Sequence, residues 1–214
     1  MCNKGNLCTM NTYLATNFNH VLKRVAIATL LTVGFFTFQT TLAETAIWDG
    51  TMVRPTEGSG TEDDPYLINT AEEMAYLIRN YDYNDGICYR KYYKLTRDLD
   101  MRSPQWTFGS ATSDNKSFRA HFNGAGHKIS NIEVSLQDSQ GECHYGLFPQ
   151  MGGDKDFEAV IENLEVENIH FVRSTGDPTG TYNFRIGGLV GKMYSNSRVS
   201  NCLVRGFEVS DCID

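Results

Sequence analysis

An eleven-residue pattern of apolar and polar positions occurs twice near the end of the chain. One copy runs Ile161-Glu-Asn-Leu-Glu-Val-Glu-Asn-Ile-His-Phe171 and the other Val199-Ser-Asn-Cys-Leu-Val-Arg-Gly-Phe-Glu-Val209. Apolar residues alternate with polar ones, as in a strand with one buried face, and then the alternation slips by one position. Leu164 and Val166 share one parity, whereas Ile169 and Phe171 take the other, with Asn168 between them. Cys202 and Val204 give way to Phe207 and Val209 across Gly206, and earlier breaks fall at Asn163 and Asn201. Asn and Gly enter the left-handed backbone region at least cost, so each break predicts a corner joining two short strands. A corner that consumes one residue turns the backbone while the apolar side chains stay inward. The pattern therefore predicts an all-β fold, a right-handed parallel β-helix (β-solenoid). Ile129-Ser-Asn-Ile-Glu-Val134 is a partial third copy.

Upstream, Tyr66-Leu-Ile68 reads as a short strand and the next segment as a helix. Thr70 is the predicted N-cap with Glu73 three residues on, and Ala71, Met74, Ala75, Leu77 and Ile78 form one apolar face at helical spacing. This helix is expected to cap the first winding, because the end of a stacked repeat otherwise leaves its core open. Tyr92 to Asp100 alternates as a strand, with Trp106 and Phe108 expected beneath the irregular stretch after it. Phe118–Phe122 is a further strand, followed by the turn Asn123-Gly-Ala-Gly126. Glycine clusters precede both full copies, at Gly146 and at Gly187-Gly-Leu-Val-Gly191, and the spacing to the copies differs. The difference fits an outward insertion at Gly152–Asp156, and Arg173–Tyr182 reads as a second outward loop, since insertions in such repeats fall at corners.

The first residues carry a different signal. Lys23 and Arg24 precede an apolar run from Val25 to Phe38, followed by Gln39-Thr-Thr-Leu-Ala43. This is the order of a secretory signal peptide with cleavage after Ala43, and Met10 is an alternative start to Met1. The apolar run falls short of the ~20 residues that cross a bilayer. The expected organisation is a signal peptide over 1–43, an arm with cap helix and first strands over 44–117, and β-helical repeats over 118–214, which are expected to be truncated at the C-terminus because no polar capping element follows the second full copy. Removing 1–43 takes Lys4, Lys23 and Arg24 and no acidic residue, so a net charge of −7 becomes −10. That charge disfavours nucleic acid and anionic membrane as partners and suits a secreted or cell-surface protein. Of six cysteines, Cys88, Cys143, Cys202 and Cys212 remain, which permits three disulfide pairings. Cys202 occupies an inward position, where a small thiol packs like Ala or Val.

Gly187-Gly-Leu-Val-Gly191, followed by Val199-Ser-Asn-Cys202 and a valine-bearing strand, resembles the GLUG repeat of secreted bacterial surface proteins. Trp48-Asp-Gly-Thr51, Gly58–Ile68, the helix from Thr70, Tyr92–Asp100 and Phe118–Ile129 resemble the leader that precedes such repeats. Pro149 and Ala120 depart from it, standing where glycine is usual. The resemblance implies parallel β-helical repeats and a surface adhesion or binding role. No catalytic residue is attached to the repeat, so none is carried over.

The chemistry-bearing residues are sparse. Asp98 and Asp100 alternate within the predicted strand, so one cation such as calcium or one sugar hydroxyl fits between them; the simpler reading is that they satisfy backbone donors at a strand end. Glu62-Asp-Asp64 before Pro65 reads as turn chemistry, and Asp154 and Asp156 as a solvated loop. His121, His127, His144 and His170 lack zinc-ligand spacing. Asn115-Lys-Ser117 is a glycosylation sequon, relevant only in a eukaryotic secretory route. Tyr76, Tyr81, Tyr83, Tyr89, Tyr92 and Tyr93 form an aromatic cluster, of which about half is expected to pack inward and the rest to offer stacking surface. These observations predict a non-catalytic binding module with no resident cofactor, presenting its outer faces and the loops 149–158 and 172–184 to an extracellular glycan or protein. The alternatives are a polysaccharide lyase or hydrolase on the same scaffold, or an end-to-end assembly module that associates with itself.

Overall fold

The computed structural model describes residues 48–80, 88–102, 117–136, 141–173 and 182–211. The expected signal peptide, Tyr81, Tyr83, Trp106, Phe108, Asn115, Cys212 and most of the loop 172–184 lie outside the described residues. Among those described, thirteen strands accompany one helix, α1 (Ala71–Arg79). The strands are β1 (Tyr66–Ile68), β2 (Tyr89–Leu95), β3 (Leu99–Asp100), β4 (Arg119–Asn123), β5 (Lys128–Leu136), β6 (Gly141–Tyr145) and β7 (Phe148–Met151). They continue with β8 (Ala159–Glu162), β9 (Glu165–Arg173), β10 (Tyr182–Ile186), β11 (Val190–Met193), β12 (Ser197–Ser200) and β13 (Leu203–Asp211).

All pairings between these strands are parallel. The sheets have the orders β1-β2-β4-β8-β12, β3-β5-β9-β13, β6-β10 and β7-β11. The chain visits them in a fixed sequence: β4, β5, β6, β7, then β8, β9, β10, β11, then β12 and β13. Leu203 therefore lies beside Glu165, and Glu165 beside Lys128.

This register aligns the apolar positions in columns. Tyr66, Tyr93, Phe122, Ile161 and Val199 form one. Leu99, Ile129, Val166 and Val204 form a second, and Ile132, Ile169 and Phe207 a third. Middle members such as Phe122, Ile161, Val166 and Ile169 are fully buried in one continuous core. Burial of both neighbours is what lets these short strands persist, since a parallel pair gains little in isolation.

The corners follow from the asparagines. Asn131, Asn163, Asn168 and Asn201 have φ of 58°, 54°, 57° and 50°, and Gly206 completes the set at 62°. Their side chains also bond between layers. Asn201 donates to Asn163 at 2.7 Å, and Asn163 to Asn123 at 3.2 Å. Asn168 donates to Asn131 at 3.3 Å, which donates to Asp100 at 3.0 Å. A ladder of amides thus supports the backbone turn that each residue makes.

Glycines of the Gly187–Gly191 segment act by size. A Cβ on Gly191 would lie 2.6 Å from the Tyr145 carbonyl oxygen and 2.7 Å from that of Pro149. Those are backbone atoms of the adjacent layer and cannot swing aside.

Helix α1 forms as its sequence predicts. Thr70 accepts a hydrogen bond from Glu73 N at 3.3 Å, and the Glu73 carboxylate accepts from Asn69 N at 2.7 Å, one residue before the cap. Its face of Ala71, Met74, Ala75, Leu77 and Ile78 is buried in the core cluster with Trp48 and Ile68. Leu67 N donates to the Glu57 carbonyl at 3.0 Å, so the arm also covers the edge of β1.

Three expectations are corrected. The strand predicted over Tyr92–Asp100 is two strands in different sheets, β2 and β3, because the chain turns at Thr96–Asp98. Asp98 precedes β3 and is not on a strand face shared with Asp100. Asp154 is no solvated loop residue: its side chain is only 21% exposed and is clamped by β2.

Candidate functional site

The outer face of the five-stranded sheet carries the most distinctive side-chain group among the described residues. In β2, Tyr93 and Leu95 point into the core, so Tyr92 points outward. In β4, Ala120 and Phe122 point inward, so His121 points outward beside Tyr92 in register. The two rings lie 4.6 Å apart between centroids. Phe157, from the turn before β8, closes the group at 5.0 Å from His121 and 6.0 Å from Tyr92, edge-on to the latter. All three rings remain partly exposed. Val160, the next outward position in the column, is 1% exposed beneath them.

Charged pairs border the rings. Arg198, in register with Val160, reaches Glu158 at 3.4 Å and Glu162 at 3.8 Å, and donates to Ser200 at 2.8 Å. Glu162 also accepts from Asn123 at 3.1 Å. Burial lowers the His121 pKa below its ordinary value, opposed by its bond to the Glu158 backbone and by the carboxylates of Glu158, Glu162 and Glu62. Burial also raises Tyr92, with Glu62 adding to the effect. The site thus offers neutral rings flanked by carboxylates and one arginine.

Beside it, Arg90 has φ of 57° at an irregularity in β2. An arginine in that region costs roughly 1–2 kcal/mol, so something must hold it. Asp154 does: Arg90 donates to its two oxygens at 2.7 and 3.1 Å, and Tyr89 donates through its hydroxyl at 2.9 Å. The Arg90 guanidinium bond, then the Asp156 backbone N–H, lower the Asp154 pKa to about 2. This clamp fixes the turn that carries Phe157.

Asp98 accepts from Lys128 N at 3.0 Å and contacts His127 Nδ1 at 3.2 Å. Asp100 accepts from Arg102 N and from Asn131, both at 3.0 Å. The two carboxylates are thus directed to different protein donors, one at the β5 start and one at the asparagine ladder. Glu62, Asp63 and Asp64 are exposed in the turn, where the Asp64 carbonyl accepts from three backbone N–H groups. Elsewhere, Glu142 meets His144 at 3.0 Å, Lys192 at 3.8 Å and Arg185, and the His144 bond comes first in lowering its pKa. His170 meets Ser210 at 2.7 Å. Among the described residues no group of three or more His, Cys, Asp or Glu side chains is arranged to hold a metal. Cys88 and Cys143 are buried, and the Cys202 thiol lies half-buried against the Ile161 and Ser200 carbonyls.

Of the tyrosine cluster, Tyr93 is buried, Tyr76 packs partly against the core, Tyr89 joins the clamp and Tyr92 joins the outer rings. Sequence reasoning missed His121 and Phe157. The parity of His121 relative to Phe122 carried the signal for the first. Nothing in the spacing signalled Phe157, which reaches the site through the Asp154 turn.

No family model matches the chain. It is 29% identical over 169 residues to halomucin of Haloquadratum walsbyi, covering 65% of this chain and 2% of halomucin. It is 27% identical over 144 residues to a protein described as a Gly-rich membrane protein of Evansella cellulosilytica, covering 64% of this chain and 14% of that one. The chain therefore spans a small fraction of the relatives it matches. A crystal structure of a protein assigned as an immunoglobulin A1 protease from Bacteroides ovatus aligns over 72% of this chain and 64% of its own, at 14% identity and a TM-score of 0.36. Among the described residues no helix is long and apolar enough to cross a membrane.

Proposed function

We propose that the chain is a right-handed parallel β-helix of the GLUG-repeat type, exported and acting as a non-catalytic glycan-binding or adhesion module outside the cell. Parallel pairing throughout, the repeated visiting order of the sheets and the asparagine corners support the winding. The similarity to halomucin supports the extracellular setting, as do the basic and apolar residues before Ala43. The observation that carries the binding reading is the outward group of Tyr92, His121 and Phe157 on adjoining elements of one rigid sheet. Partly exposed rings offer an apolar face to the C–H groups of a sugar, while Glu158, Glu162 and Arg198 at their border supply hydroxyl partners. A rigid platform of this kind binds without ordering its own backbone, which lowers the entropic cost of association.

A glycan array probed with the full chain tests the reading. Binding to a sugar that falls at least tenfold in Tyr92→Ala and in Phe157→Ala, with the circular dichroism spectrum unchanged, is the expected result. No hits across host mucin and plant polymers, or hits indifferent to both substitutions, would overturn it.

A further inference from the structure

The turn between β7 and β8 serves two places at once. Its Phe157 reaches the outer rings, while its Gly152 and Gly153 line a cavity of about 210 Å³. Ser117, Arg119, Tyr194 and Ser195 complete the lining. These segments stack in three successive layers: Gly152 N donates to the Phe118 carbonyl at 3.1 Å, and Tyr194 N to the Met151 carbonyl at 2.8 Å. The cavity thus belongs to the middle layer, with side chains of the layers on either side at its margins.

The middle layer is bare by necessity. A Cβ on Gly152 would lie 2.6 Å from the Tyr194 Cβ, and one on Gly153 would collide with the carbonyl oxygens of Phe157 and Asn196. Strand β4 joins this hollow to the rings. Arg119 and His121 share its outward parity, on either side of the buried Ala120, roughly 7 Å apart along the strand. A sugar chain with one unit on Tyr92, His121 and Phe157 therefore sets its next unit at Arg119.

The chemistry of the lining is one-sided. It holds a guanidinium with five N–H donors, three hydroxyls and no carboxylate, in a chain whose formal net charge is −7. The acidic residues of the adjoining turn are engaged elsewhere. Arg90 takes Asp154 at 2.7 Å and Asp156 at 3.6 Å, and Arg198 takes Glu158 at 3.4 Å. The net charge slows the approach of an anion, but screening beyond ~8 Å leaves local donors to decide its affinity. We propose that this cavity takes the carboxylate or sulfate of an acidic sugar whose neighbouring unit stacks on the Tyr92, His121 and Phe157 rings. The ligand class is then an anionic polysaccharide. The proposal rests on the glycan-binding reading and narrows it.

Calorimetric titration of the full chain with tetragalacturonate, its neutral methyl ester and a carrageenan tetrasaccharide tests it, with thermal melts monitoring the fold. An acidic tetramer should bind at least tenfold more tightly than the ester, from charge-assisted bonds to Arg119. Tighter binding of galacturonate assigns a carboxylate, and of carrageenan a sulfate. Arg119→Ala should bring the ratio of acid to ester affinity toward one, with Arg119→Lys between. Tyr92→Ala should weaken acid and ester together and keep the ratio. As a readout independent of the rings, galacturonate monosaccharide should shift the Arg119 Nε–Hε resonance in Tyr92→Ala as in the unsubstituted chain. Equal affinity for acid and ester, or a ratio indifferent to Arg119→Ala, would overturn the inference and leave the stacking reading standing. No binding of any tetramer would overturn it too, and a silent glycan array beside that would remove the reading as well.

Discussion

Asn201 donates its side-chain amide to the Asn163 side-chain oxygen at 2.7 Å, and both residues hold a left-handed backbone, at φ of 50° and 54°. The two lie 38 residues apart in sequence and one layer apart in space. A single residue type thus supplies the turn within a layer and a bond between layers.

Asn163→Ala should lower stability by about 2–3 kcal/mol, from left-handed strain of ~1–2 kcal/mol and lost amide bonds worth ~1 kcal/mol. Asn163→Gly keeps the backbone conformation and loses only the bonds, so it should fall nearer 1 kcal/mol. Urea unfolding of the two variants measures the difference. Equal losses would mean that backbone conformation contributes nothing at this corner.

Core position along the stack should set the cost of truncation. Phe122 is fully buried between Tyr93 and Ile161, so Phe122→Ala should cost about 3–5 kcal/mol. Phe207, at 48% exposure, should cost about 1 kcal/mol in a monomeric sample. Chemical denaturation of each variant provides the comparison.

The fold was legible where side-chain identity itself forms the structure. Asn163, Asn168, Asn201 and Gly206 mark corners because few residues take their φ, and the parity around them tells inside from outside. The Thr70–Glu73 cap was legible for the same reason. What escaped was contact between distant segments. The Arg90–Asp154 clamp joins residues 64 positions apart through an arginine in a conformation that no pattern announces. The break between β2 and β3 was hidden because Tyr92–Asp100 alternates well enough to pass for one strand. Phe157 reached the outer rings only as a consequence of that clamp.

Acid should release the clamp. The folded Asp154 pKa, about 2, lies below the ordinary carboxylate value of 3.8, so its contribution is present above about 4 and is lost as pH falls toward 2. Asp154→Asn should lower the melting temperature by a few degrees at pH 7, and most of that deficit should be gone at pH 2, where the unsubstituted carboxylate is about half protonated. An equal deficit at both pH values would show that the carboxylate charge is not what holds Arg90.

His121 should titrate below its ordinary 6.5, because burial against Tyr92 and Phe157 disfavours the imidazolium. With the folded value depressed, the neutral ring contributes stability above about 6.5 that declines as pH falls below it. An NMR titration of the His121 ring protons reads the midpoint directly, and Tyr92→Ala should move it upward. A midpoint at or above 6.5 in the unsubstituted chain would mean the ring is solvated.

The parallel stacking on which the rest is built is tested most directly by amide–amide and amide–Hα nuclear Overhauser contacts across the four-stranded sheet. The structure predicts contacts linking Ile129 to Val166 and Val166 to Val204, neighbours in register on β5, β9 and β13. Strong Hα–Hα contacts between β8 and β9, or between β12 and β13, would signal antiparallel hairpins and contradict it.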